Sequence, residues 1–174
     1  MEHLKYPVGK FDAERTEYPL EELLEYVLQI QSLPNELSKL LNGISAENAE
    51  NTYRPGGWNV RQIIHHLADA HMNAWVRTKL ILTEDNPTVK PWNENLWAEG
   101  KDYSFAYEAS YLMLVGIHQR WSLLLLESLK TPELLSRTFF HPEHNKSFTL
   151  AQLIAMYAWH GNTHLGHIRI ALGK

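Results

Sequence analysis

At 174 residues, 44% of them hydrophobic, the chain is long enough for one well-buried core and short for two, so residues 1–174 read as a single domain. A net charge of -4 at pH 7, with lysine and arginine scattered rather than clustered, excludes the basic footprint of a nucleic-acid binder. The absence of cysteine removes disulfides, thiolate nucleophiles and thiolate metal ligands together, so any metal has to be held by histidine and carboxylate, and the ten histidines become the informative residues.

Met1 to Glu17 is polar, contains Pro7 and Gly9, and reads as an irregular surface arm without a motif. It has no apolar signal-like region, and nowhere does an apolar run approach the 18 residues of a membrane span, so a soluble, cytoplasmic protein is expected. From Leu20 to Asn42 apolar residues recur at helical spacing, with Pro34 expected to kink or split the helix and Gly43 to end it. Ser45 to Glu50 allows one short capped turn, and Tyr53 to Gly57 (YRPGG) is a turn-rich loop.

A second long helix is expected over Asn59 to Leu82. Asn59 followed by Gln62 is a capping-box signature, and Trp58 precedes it as a hydrophobic staple. Thr83 to Asp102 is too long for a tight helical hairpin and predicts a crossover with a turn of helix at Asn93 to Ala98. A third helix is placed at about Phe105 to Leu129, a short one at Thr131 to Glu133, and a small hairpin within Arg137 to Phe148. Thr149 with Gln152 repeats the capping signature and opens a last helix that Gly173 closes. Four long helices in one small domain make an all-α bundle.

The last helix puts His160, His164 and His167 on one side, because residues three and four apart lie one above the other. An i, i+4 histidine pair can chelate one ion, but His160 and His167 are about 10 Å apart along the axis, so a third ligand has to come from another helix. The second helix offers His65, His66 and His71. Its apolar face centres on Ile63, Leu67 and His71, with His66 at the edge and His65 pointing away toward Asp69. Antiparallel packing brings His66 to the height of His160 and His164 and leaves His71 about a turn deeper, and periodicity alone does not choose between them.

The run GGWNVRQIIHHLADAHMN, with the distant WHGNTHLGHI, resembles the DinB/YfiT superfamily of metal-binding helical bundles, and most of all its YfiT group of metal-dependent hydrolases. The likeness extends over nearly the whole chain through YPVG, YRPGGW, KLILTE, HQRW and YAWH. The family's mark is a tryptophan eight residues before a His-Leu pair, and eight from Trp58 is His66, followed by Leu67. The resemblance therefore implies His66, His160 and His164 as metal ligands, a four-helix bundle of up-down-down-up topology with a long crossover between the second and third helices, and a homodimer. Many DinB relatives carry glutamine where this chain has His167, so no role carries over to it.

Three neutral imidazoles leave a divalent ion an open position, the arrangement of a catalytic site, and such an ion lowers the pKa of bound water to about 7. Zinc is expected, with nickel close behind, one ion per subunit. Gly161 rather than glutamate follows His160, so the H-E-x-x-H base of a metalloprotease is absent. Asp69, His118 and Arg120 are the weak candidates for acid, base or anion contact, and Trp75, Tyr157 and Trp159 join His118 and Arg120 as expected pocket residues. Hydrolysis of a small molecule is the reading preferred. The alternatives are transfer of a low-molecular-weight thiol, whose thiolate the ion would activate, and a non-catalytic binding module that the ion merely stabilises.

Overall fold

The computed structural model describes residues 2–174. A one-turn helix α1 (Glu2–Lys5) leads through an extended arm into α2 (Leu20–Leu41), and α3 (Val60–Thr83) follows a 3-10 turn at Asn48–Glu50. The crossover carries α4 (Glu94–Ala98) and a second 3-10 turn, Lys101–Ser104, before α5 (Glu108–Leu129). Then come α6 (Pro132–Leu135), an antiparallel hairpin β1 (Thr138–His141) and β2 (Lys146–Thr149), and α7 (Leu150–Leu172).

Both capping boxes form. Asn59 accepts from the Gln62 amide while Gln62 reaches back to the Asn59 amide, and Thr149 and Gln152 repeat the exchange, so orphan N–H groups at the starts of α3 and α7 are satisfied. Gly173 ends α7 in the left-handed conformation (φ 66°), which glycine adopts without a Cβ clash. The third bundle helix starts later than its pattern suggested, at Glu108, and leaves Phe105 exposed.

Pro34 does not split α2. Its missing N–H deprives the Ile30 carbonyl, four residues earlier, of its helical partner, and the His118 ring from α5 supplies a replacement at 2.5 Å. A proline that breaks an isolated helix is thus absorbed by a tertiary hydrogen bond.

Helix α2 packs against α5 and α7, and α3 packs against the same two, so α2 and α3 are diagonal. Lys174, just past α7, bonds the Leu40 carbonyl at the end of α2, so these two run parallel. His65 meets Ser110 and Thr78 meets Trp121, which makes α3 and α5 parallel. His66 meets His160 and Arg77 meets Tyr157, which makes α3 and α7 antiparallel. Up-down-down-up follows. Two parallel helices of about 35 Å cannot be joined by a tight turn, and this explains the crossover. The Val89 N–H donates to the Phe140 carbonyl and the Phe140 N–H to the Pro87 carbonyl, which ties that crossover to β1.

The apolar interior comes in two clusters. One gathers Val27, Ala74, Trp121, Phe139 and Ile154, the other Leu37, Ile63, Leu67, Leu114 and Ile168. On every bundle helix the changeover falls at one level, between Ile30 and Leu33, Leu67 and Ala70, Leu114 and Ile117, and Ala158 and Leu165. Buried histidines fill that level. Gly161 keeps it tight, since a Cβ there would lie 3.0 Å from Leu33 and 3.7 Å from the His71 ring.

The N-terminal arm is not a loose surface segment. Pro7 sits over Gly166, where a Cβ would meet it at 2.6 Å, and Trp159 donates to the Gly9 carbonyl at 2.8 Å. The arm straps α7 along its outer side.

Because α7 depends on Thr149 for its first turn, Thr149→Ala is expected to lower stability by about 1 kcal/mol, with Asn59→Ala doing the same for α3. Urea denaturation with an unchanged slope but a lower midpoint is the measurement that checks both.

Candidate metal centre

His66 from α3 and His160 and His164 from α7 bring three ring nitrogens within 4.8 Å of one another. His66 and His160 approach Nε2 to Nε2 at 3.1 Å. That pair stands about as close as two imidazoles sharing one metal ion would, at roughly 3.3 Å, and the third nitrogen lies within 4.8 Å of both. The rings are held neutral. Burial pushes His160 down to about 4 and His66 and His164 well below their usual range, with neighbouring histidines adding to the effect.

Hydrogen bonding decides which nitrogens carry protons. The Ile30 carbonyl can only accept, so His118 Nδ1 donates to it, and the neutral ring then offers a bare Nε2. His71 Nδ1 donates to that Nε2 at 2.8 Å, which leaves His71 Nε2 to accept from His160 Nδ1 at 3.1 Å. The chain ends on His160 Nε2, a bare lone pair aimed at His66. His118 is pushed down to about 4 and His71 well below the usual range, in each case chiefly by burial, so both rings are neutral as this requires.

A second chain does the same from the other side. The Lys5 carbonyl of the N-terminal arm accepts from His167 Nε2 at 3.0 Å, so His167 Nδ1 is the acceptor for His164 Nδ1 at 3.3 Å. His164 Nε2 is bare in turn. His66 has no such backing, and its Nδ1 is buried without a partner. Bare lone pairs on both α7 rings, in a neutral and cysteine-free set, fit a divalent metal ion that imidazole can bind. His71 and His167 are thereby placed as the groups that orient the His160 and His164 rings.

A cavity of about 450 Å³ opens beside the triad, lined by His66, His160, Tyr157, Trp92, Arg77 and Glu94 among others. A second recess of about 390 Å³ reaches the triad from the side of Tyr53 and Trp58. The Trp58 ring lies 4.5 Å from that of His66, so the tryptophan that marks the motif is also a wall of the site.

Of the residues expected in the pocket, Tyr157 and Trp159 line it and Trp75, His118 and Arg120 do not. His118 is buried behind the site, and Arg120 lies exposed over the Trp75 ring at 4.8 Å. Asp69 accepts from Tyr103 at 2.7 Å instead of backing a ligand. His65, expected in solvent beside Asp69, is buried and bonds Ser110 and the Phe105 carbonyl, because the chain leading into α5 folds over it. Sequence reading missed Arg77, Glu94 and His141. Arg77 was within reach, since it lies three turns beyond His66 on the same stripe of α3, and His141 shares the buried side of β1 with Phe139.

Replacing His66, His160 or His164 by alanine should abolish metal content by elemental analysis, while His65→Ala retains it. His71→Phe and His167→Phe keep all three ligands and should weaken the metal by about 10–100-fold in a chelator competition. Loss of the ion with His71 but not with His66 would overturn this ligand set. Acid should unfold the metal-free protein early. Unfolded histidines take a proton near 6.5 but His118 and His160 only near 4, so the unfolded state binds more protons between these values. Stability is then complete above about pH 6.5 and falls as the pH drops toward 4, which urea midpoints across that range would register.

Comparison with known proteins agrees with the geometry. The DinB superfamily model matches residues 29–168. A Bacillus cereus protein named "Putative metal-dependent hydrolase" is 44% identical over 170 residues, covering 97% of this chain and 95% of the relative. A Bacillus anthracis protein of the same name is 43% identical with the same coverage. The solved structure of YfiT from Bacillus subtilis, described as a probable metal-dependent hydrolase with an unusual four-helix bundle topology, superposes with a TM-score of 0.88 at 35% identity, over 95% of this chain and 94% of that one. With the full bundle, the family match and these relatives in agreement, the chain belongs to the DinB/YfiT superfamily.

Proposed function

We propose that the chain is a metal-dependent hydrolase of a small molecule, with His66, His160 and His164 holding one divalent ion, zinc or nickel. The observation that carries this reading is the pair of carbonyl-anchored imidazole chains, which leave bare nitrogens of two neutral rings converging on a third beside a cavity. The names of the relatives support it. An ion in such a set supplies Lewis-acid polarisation and makes water a usable nucleophile at neutral pH.

The chain's own residues supply the rest. Trp58 and Trp92 flank His66 and shield the ligand set from bulk water. Glu94, at the start of α4, lines both cavities together with His66 and His160. Glu94 is exposed at the mouth of the site, where partial loss of water and the negative charge of Glu143 raise its carboxyl above the ordinary range, which suits a group that takes and returns a proton. Glu94, rather than Asp69, is therefore the acid-base residue of this proposal.

The test is a screen of the metal-loaded protein against ester, amide and lactam panels, then against aryl halides and epoxides with and without small thiols. Hydrolysis that is lost in His66→Ala and falls by about 10²–10⁴-fold in Glu94→Gln at unchanged metal content is the expected result. Activity that appears only with an added thiol would overturn hydrolysis in favour of thiol transfer.

A further inference from the structure

Arg77 is the one guanidinium in the wall of the large cavity, and it is only 7% exposed. A buried cation is normally paired, because removal from water costs several kcal/mol that an opposite charge has to offset. Among the described residues no carboxylate lies within ion-pair distance of Arg77. Its two hydrogen bonds go to neutral oxygens and are long, 3.5 Å to the Tyr157 hydroxyl and 3.3 Å to the Lys90 carbonyl. A guanidinium has five donors, so three remain uncommitted to protein.

A second orphan faces the same space. His141 on β1 lines the cavity, is 8% exposed, and bonds to protein through neither ring nitrogen; Nδ1 is fully buried, which leaves Nε2 for a ligand. A guanidinium with spare donors and an imidazole with a spare nitrogen in one wall call for a ligand that accepts hydrogen bonds and carries negative charge. Phe139, Phe148, Met156, Trp92 and Trp159 supply the apolar part of the walls, and Asn93 and His144 add polar groups. Glu94 and Glu143 line the same cavity without pairing to Arg77, so a doubly charged phosphate would meet two carboxylates and a single guanidinium.

We propose that Arg77 and His141 form a carboxylate subsite, and that the substrate is a small molecule with an apolar body bearing a carboxylate that docks there while its reacting bond faces the histidine triad. The inference rests on the reading of the cavity as a substrate pocket, but its test does not need turnover.

Benzoate, its neutral counterpart benzamide, and phenyl phosphate are titrated into metal-free protein by calorimetry, with tryptophan indole shifts reporting occupancy beside Trp92 and Trp159. Saturable benzoate binding is expected, weakened roughly tenfold to hundredfold in Arg77→Met and less so in Arg77→Lys. His141→Phe should weaken it as well, and benzamide should bind weakly and equally to all variants. Arg77→Gln, checked by circular dichroism, serves if the methionine variant does not fold. Benzoate binding that survives in Arg77→Met, or that vanishes in His160→Ala instead, overturns the subsite. So does tighter binding of phenyl phosphate than of benzoate, or no saturable binding of either. Arg77-dependent benzoate binding in a protein that hydrolyses nothing would uphold the subsite while removing the hydrolase.

Discussion

The hydrogen bond from His118 to the Ile30 carbonyl is the constraint on which the interior of this protein depends. It exists because Pro34 cannot donate to that carbonyl, and without it a buried acceptor would be left unsatisfied at a cost of about 1–3 kcal/mol. Once made, it fixes the proton on His118, and the proton on each following ring is then determined by its neighbour as far as His160. A backbone irregularity in α2 thus dictates the electronic state of a side chain on α7, although neither His71 nor His118 touches the cavity. The Lys5 carbonyl plays the corresponding part for His164. The rings on α7 are backed by neutral imidazoles, two behind His160 and one behind His164, each chain ending on a peptide oxygen, the kind of outer support that sets ligand orientation and basicity.

Much of this architecture is written in local patterns. The two capping boxes, the stripe of leucines on α2 and the i, i+4 histidine pair on α7 are periodicities of the sequence, and each appears at its expected place. The hairpin and the turn of helix at Glu94 were likewise legible, because alternation and an asparagine cap are short-range signals. His66 was separable from His71 only through the family's tryptophan spacing, and the reason is physical: both lie on the inward side of α3, and depth in a bundle is set by packing rather than by period.

What could not be read is what depends on a partner from elsewhere in the chain. Pro34 signals a break unless His118, 84 positions later in the numbering, is known to stand opposite it. His65 looks solvated until residues 105–110 close over it. Asp69 looks available until Tyr103 takes it. Arg77 and His141 meet across one cavity only because the crossover is stitched to β1 through Val89 and Phe140. The residues around the triad and its cavity come from those long-range encounters, so the fold was more legible than the site.

The strap formed by the N-terminal arm ties the beginning of the polypeptide to the deepest chemistry in the molecule. Residues 2–10 carry no motif in the sequence, yet the Lys5 carbonyl terminates the chain of rings behind His164, and Pro7 fills the space over Gly166. Lifting the arm would expose the edge of His167 to solvent and let both its proton and that of His164 change places. For anyone handling this protein, a fusion partner or affinity tag attached ahead of residue 2 is therefore not a neutral label. It sits a few residues from the peptide oxygen that anchors His167 and, through it, His164, and a polyhistidine tag would add competing imidazoles at that same end. Beyond α7, Lys174 is in turn bonded to the Leu40 carbonyl, so additions next to that residue also meet a contact the bundle uses.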